Sequence, residues 1–337
     1  MKATIKQVAA EAGVSTATVS RVLNETDYVS EEIKQRVLTA VNRLNYRPSA
    51  VARSLKQDRT FMIGVIVPDI SNPYFMGVSR GVEDVVGPQE FQLMFCSSDE
   101  NSDKEKRLLK LLQEKRVDAI LLATAGGNDA VVMQLVDSGL PVVLVDRRLD
   151  SVEMNQRLDL VVEDNANGAY HLTSKLLEQG HVRLGVVNGP TTTSTGRERF
   201  EGVLQAMQAF GLNAEPMVFN GRFSAGDGIQ AVKYFLNASR QEWPTAIISL
   251  NNRMSLGVLL EIVHHNLRIP GELTVASFGE VEAGLLLQNS GLFYIDQHPY
   301  EMGRKAGEIL LSRIRDGGSD SSDVVHEIYS HEVKQLP

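Results

Sequence analysis

The chain has 337 residues, 43% of them hydrophobic and 23% charged, with a single cysteine and a formal net charge of −8. One cysteine excludes an internal disulfide and a cysteine metal cluster. With no uninterrupted run of about 20 apolar residues and no basic-then-apolar start, neither a membrane span nor a secretion signal is expected. The charge is uneven. Met1 to Thr60 carries ten Lys or Arg against six Asp or Glu, net +4, which leaves −12 for the remainder. A basic head on an acidic body is the pattern of a protein that touches a polyanion at one end only.

In the head, Thr4 followed by Gln7 is a capping-box signature, and Ile5, Val8, Ala9 and Ala12 give an apolar stripe at helical spacing. Gly13 predicts the end of that helix, because glycine takes the turn conformation that a side chain resists. Ser15 caps a second helix with Val19, Val22 and Leu23 inward and Thr16, Ala17, Ser20 and Arg21 outward. In a helix-turn-helix the second helix enters the major groove. There Thr16 offers a hydroxyl, Ala17 a methyl for thymine, and Arg21 a fork for guanine or phosphate. Ser30 caps a third helix, with Ile33, Val37, Val41 and Leu44 at three- or four-residue spacing, and Asn45-Tyr46-Arg47-Pro48 leads into a tether. The pattern alone also suits a three-helix domain used for protein contact.

From Phe61 the period changes. Met62–Pro68, Phe91–Cys96, Ala119–Ala123 and Val142–Val145 read as buried strands, alternating with helices over Phe75–Val86, Lys104–Lys115 and Asp129–Ser138. Cys96 falls inside one of these apolar runs and reads as a core thiol. The rhythm restarts after Val162, with strands at Leu184–Val187, Pro216–Asn220, Ala246–Leu250 and Leu273–Phe278, then a helix from Glu301 to Ile314 and a last strand over Val324–Val333. Such alternation predicts two lobes, each a parallel sheet covered by helices. Ligands in these sheets sit beyond the carboxyl ends of the strands. No phosphate loop, His-Glu metal pair or Gly-x-Ser-x-Gly elbow occupies a strand–helix junction, which favours a binding cleft over an enzyme. A sugar-modifying enzyme with a regulatory head stays open, and Asp69, Asp146 and Glu280 would be its carboxylates.

Val14-Ser15-Thr16-Ala17-Thr18-Val19-Ser20-Arg21-Val22-Leu23-Asn24, Leu44-Asn45-Tyr46-Arg47-Pro48 and Ala52-Arg53-Ser54-Leu55 together resemble the head and hinge of the LacI/GalR family of bacterial transcription regulators. The body is similar to the periplasmic sugar-binding fold which that family uses, through Asp69-Ile70-Ser71-Asn72-Pro73-Tyr74-Phe75, Gly189–Gly202, Gly221-Arg222-Phe223 and Gln297 with Tyr300-Glu301-Met302-Gly303. The resemblance implies an all-α helix-turn-helix head on an α/β body of two Rossmann-like lobes, working as a cytoplasmic homodimeric repressor of a carbohydrate operon, without cofactor or metal. Residues 1–48 would be the DNA-binding domain and 49–60 the hinge; 61–161 plus 294–323 would form the N-lobe, and 162–293 plus 324–337 the C-lobe.

By the same resemblance, palindromic operator DNA would be met by Thr4, Ser15, Thr16, Ala17, Thr18, Ser20, Arg21, Asn24 and Tyr28, and by Ala52, Arg53, Leu55 and Lys56 of the hinge. Leu55 would wedge into the minor groove. Ser49–Gln57 is too short for a stable isolated helix, where about 12 to 15 residues are marginal, so its folding needs DNA and a dimer mate. As a segment alone it also suits a plain linker. The effector would be held by Ser71, Tyr74 or Phe75, Asp146, Arg147, Arg199 as principal clamp, Phe223 as stacking plate, Asn251 and Gln297.

Two departures bear on that effector. Asn251-Asn252 stands where the family often has Asn-Asp, and Phe278-Gly279-Glu280 where it often has Phe-Asp-Asp, so a common sugar-binding carboxylate is replaced by Gly279. The arginines 147, 148, 197, 199 and 222 then suit an acidic ligand such as a sugar acid or sugar phosphate, because guanidinium forks match carboxylate and phosphate. A neutral sugar, or a protein co-regulator in place of any small ligand, stays open. No leucine heptads close the chain, which favours a dimer, with Tyr74–Glu83 and Ser255–Val263 as candidate surfaces.

Overall fold

The computed structural model describes residues 3–24, 28–46, 59–212, 215–287, 289–317 and 323–336. Ala52, Arg53, Leu55 and Lys56 lie outside the described residues. The chain divides into a head, Met1–Thr60, and a body, Phe61–Pro337.

The head holds α1 (Ile5–Ala12), α2 (Thr16–Asn24) and α3 (Glu31–Arg43). The Thr4 capping box forms with Gln7, and Gly13 closes α1 in the left-handed conformation at φ +64°. Val8, Ala9, Ala12, Val19, Val22, Val37 and Ala40 make its core. From α3, Nη2 of Arg36 donates to the carbonyl of Ala12 at 2.6 Å, satisfying a helix-end acceptor that has no partner within α1.

The first lobe carries β1 (Met62–Val67), β2 (Gln92–Ser97), β3 (Ala119–Leu122), β4 (Val142–Val145), β5 (Asp159–Glu163) and a late strand His326–Tyr329, with helices α4 (Pro73–Val86), α5 (Ser102–Glu114) and α6 (Asp129–Asp137), and the single turn α7 (Val152–Asn155). Its six-stranded sheet is parallel throughout, with the late strand beside β5. The second lobe carries α8 (Asn165–Glu178), β6 (Leu184–Asn188), α9 (Ser194–Ala209), β7 (Met217–Asn220), α10 (Ala225–Leu236), β8 (Ala246–Ser249), α11 (Asn252–His264), β9 (Thr274–Ser277) and β10 (Phe293–Asp296). A final strand, Glu332–Gln335, pairs antiparallel with β10. β3, β4, β6 and β8 are apolar runs apart from Gly185, Asn188 and Ser249, and are buried from end to end, because apolar layers pack on both faces of each sheet. Helix α12 (Pro299–Arg315) packs on α4 in the first lobe.

The lobe limits read from the sequence need correcting. β5 runs to Glu163 and stays in the first sheet, and β10 (293–296) belongs to the second sheet instead of the N-lobe. The single last strand expected over Val324–Val333 is two strands in different sheets, so 326–329 belongs to the first lobe. The chain therefore crosses between lobes near Asp164, Gln297 and Ser330. Sequence periodicity missed these changes because a strand of four or five residues looks the same whichever sheet receives it.

Candidate functional site

On the head, Thr16, Ala17 and Arg21 are exposed along one face of α2, Thr18 and Ser20 are half-buried beside them, Asn24 ends the helix, and Tyr28 is 96% exposed. Ser15 does not point outward as a free hydroxyl. Its Oγ accepts from the backbone N–H of Thr18 at 3.0 Å, capping the helix, and lies 2.9 Å from the Thr18 hydroxyl, so the two hydroxyls engage each other. Thr4 is likewise engaged with Gln7. Thr16, Ala17 and Arg21 stay exposed on this face.

In the body a cleft of about 380 Å³ opens between the lobes at the carboxyl ends of the strands. It is lined from the first lobe by Asp69, Asn72, Tyr74, Phe75, Asp99, Glu100, Asp146 and Arg147, from the second by Thr195, Arg199, Arg222, Phe223, Ser224, Asn251, Asn252 and Arg253, and by Gln297 at a crossover. Eight of the nine effector residues expected from the sequence thus meet in one place. Ser71 does not: it is exposed, its hydroxyl turned onto Asp69 at 2.7 Å. Asp146 and Phe223 sit at φ +65° and +62°, a region costly for side chains, and such residues gather at functional sites.

Several side chains of that set already have partners within the protein. Arg199 is buried and committed: Nε donates to Asn165 Oδ1 at 2.7 Å, Nη1 to the Leu250 carbonyl at 2.9 Å and Nη2 to Glu163 at 3.5 Å, with the guanidinium stacked 3.8 Å over Phe278. Arg147 makes a two-pronged pair with Glu100, both contacts at 2.7 Å, and lies 5.0 Å over the ring of Phe223, the residue expected as a stacking plate. Arg148 pairs with Glu198, and Arg197 with Asp150. Asn251 spends its carbonyl oxygen on the N–H groups of Arg253 and Met254, capping α11. Arg222 and Arg253 have no carboxylate partner among the described residues, and both line the cleft. Gly279 sits at φ +100°, where a side chain is strained, and a Cβ there would lie 2.4 Å from Gln297 Oε1, so the expected carboxylate is replaced for backbone reasons too.

Beneath the cleft lies a buried carboxylate. Glu163 is fully buried; Oε2 accepts from Gln297 Nε2 at 2.6 Å while Oε1 has no partner among the described residues. Burial raises its pKa to about 7, against the pull of Arg199. Asp146 is raised by the same cause, and Tyr74 is raised first by burial and then by both carboxylates. Sequence reasoning missed Glu163, Glu100 and Arg253 because their importance lies in pairing across long sequence separations.

Residues 4–49 match the family described as bacterial regulatory proteins, lacI family, and residues 60–332 match periplasmic binding proteins and sugar binding domain of LacI family. The chain belongs to the lacI family of bacterial regulatory proteins. Among its relatives, the HTH-type transcriptional repressor PurR of Aliivibrio salmonicida is 36% identical over 316 residues, 93% of each chain. PurR of Histophilus somni is 33% identical over 97% of this chain and 96% of that protein. The Lac repressor dimer bound to operator superposes with a TM-score of 0.82 at 21% identity, over 99% of this chain and 98% of that one. The CelR–cellobiose complex gives 0.72 at 25% identity, over 99% and 98%. As a lacI-family member the protein is a DNA-binding transcriptional repressor, with the helix-turn-helix head as its DNA-reading part. No helix among the described residues is long and apolar enough to cross a membrane.

Proposed function

We propose that this repressor acts as a homodimer on a palindromic operator, under the control of a small carbohydrate-like molecule that carries a negative charge. The carrying observation is the polarity of the cleft. Asp69, Asp99, Glu100 and Asp146 face it from the first lobe, suited to hydroxyl donors, while Arg222 and Arg253 face it from the second without a counter-charge. Arg147 is paired with Glu100, and the guanidinium of Arg199 is already held by Asn165, the Leu250 carbonyl and Glu163, so the anion belongs at the second-lobe wall. CelR, described with cellobiose, supports a sugar-like class. Exposed Met76 on α4, with Leu260 and Val263 on α11, supports the dimer surfaces.

Calorimetry with gluconate, glucuronate and glucose 6-phosphate against neutral glucose tests the charge. The anion should bind more tightly, and Arg222→Ala or Arg253→Ala should each cost roughly 10- to 150-fold, the worth of one charged hydrogen bond. A neutral sugar that binds best, indifferent to both substitutions, rejects the anionic reading.

A further inference from the structure

Asn72 and Asn252 meet across the cleft. Asn72 caps α4 in the first lobe, and Asn252 is the first residue of α11 in the second. Nδ2 of Asn72 donates to Oδ1 of Asn252 at 3.2 Å, and Nδ2 of Asn252 donates back to Oδ1 of Asn72 at 2.9 Å. Each amide has its orientation fixed from its own lobe: Asn72 Oδ1 also accepts from the Tyr74 N–H at 3.1 Å, and Asn252 Oδ1 from the Arg253 N–H at 2.9 Å. With the oxygens already set, the pair forms without a search among rotamers, so little entropy is lost when the lobes approach. Further interlobe contacts stand at a separate place, where the Arg148 N–H donates to Ser194 Oγ at 3.0 Å, Arg148 pairs with Glu198 and Arg197 pairs with Asp150.

We propose that the Asn72–Asn252 pair is a latch that holds the lobes closed before an effector enters, so that Asn252 sets how much closure the effector has left to add. The proposal rests on the reading that a small molecule in this cleft controls the repressor, and it takes lobe closure as the movement that carries that control. Its chemistry is specific to the amide. An aspartate at 252 would still accept from Asn72 Nδ2, but it would place a charged oxygen against Asn72 Oδ1, losing one hydrogen bond and adding repulsion.

The test needs no ligand. Full-length protein in a Cys96→Ser background carries spin labels at Lys106→Cys and Gln230→Cys, both exposed, and is diluted with unlabelled chains so that one labelled protomer is read at a time. The parent should give one interlobe distance; Asn252→Asp, an acceptable residue in the first turn of a helix, should add a longer one, shifting the open-to-closed ratio roughly tenfold. Asn72→Ala and Asn252→Ala should each open the lobes, with the double variant no more open than either single one. An unchanged distance in Asn252→Asp, or fully additive single effects, overturns the latch. Affinity for a duplex selected from random DNA is measured in parallel: a changed distance with unchanged operator affinity keeps the latch and rejects the link between closure and the head.

Discussion

Replacing Glu163 by Gln should make the protein more stable at neutral pH and leave it nearly unchanged in acid. The folded protein holds the Glu163 proton up to about pH 7, whereas the unfolded chain releases it near 4.5. A carboxyl raised in this way gives stability that is full below the unfolded pKa and lost as pH climbs through the folded one. At 1.36 kcal/mol per pH unit, the interval amounts to about 3 kcal/mol. Gln keeps an acceptor for Gln297 and Arg199 but has no proton to lose, so the variant-minus-parent difference should grow by about 3 kcal/mol between pH 4.5 and 7.5 and then level off. His331 acts in the opposite sense: burial, with Arg199 nearby, pushes it down to about 4, so its contribution falls away as pH drops from 6.5. Because both chains contain His331, the difference isolates Glu163. Urea unfolding at fixed protein concentration, half a pH unit apart, measures it. A difference that stays flat from pH 5 to 8 would refute the buried-proton argument.

On the head, Thr16→Ala and Arg21→Ala should weaken operator binding and alter base preference in a selection from random duplexes; an unchanged preference removes Thr16 as a reader. Lys56→Ala should weaken binding evenly across sequences and lower the salt slope by about one. Leu55→Ala should leave effector affinity intact but cost DNA bending, measured by circular-permutation gels. Arg199→Ala should destabilise the body, because it leaves the buried Asn165 Oδ1 and Leu250 carbonyl without their donor, and thermal melting should show this even without ligand.

The head was legible because its signals are local: Thr4 with Gln7, Gly13, and the Val8–Ala12 and Val19–Val22 spacings each lie within one or two turns. The lobes were legible as unbroken apolar runs such as Ala119–Leu122. What escaped was whatever depends on which distant segment arrives. Arg199 was expected to be a ligand clamp, and an arginine at the mouth of a sheet looks the same whether or not a carboxylate faces it; that Glu163 and Asp146 also reach it, from 36 and 53 residues away, carries no local signal. Ser71 fails as a wall residue because Asp69, two positions back, captures its hydroxyl. The crossovers near Asp164, Gln297 and Ser330 carry no periodic signal, being too short to have a period.

Those three crossovers are also where any lobe movement must be absorbed, and one side chain reaches toward all of them. Arg199 touches Glu163 at the first; Glu163 holds Gln297 of the second; and Phe278, on which Arg199 stacks, packs edge-on against His331 of the third at 5.5 Å. Arg199 also lines the cleft. A packed, buried cluster of this kind does not deform gradually, because each partner it loses is a buried polar group left without a hydrogen bond. A ligand that moves Arg199 therefore exchanges one set of contacts at the crossovers for another. That gives a small molecule in the cleft a physical route to the relative setting of the lobes.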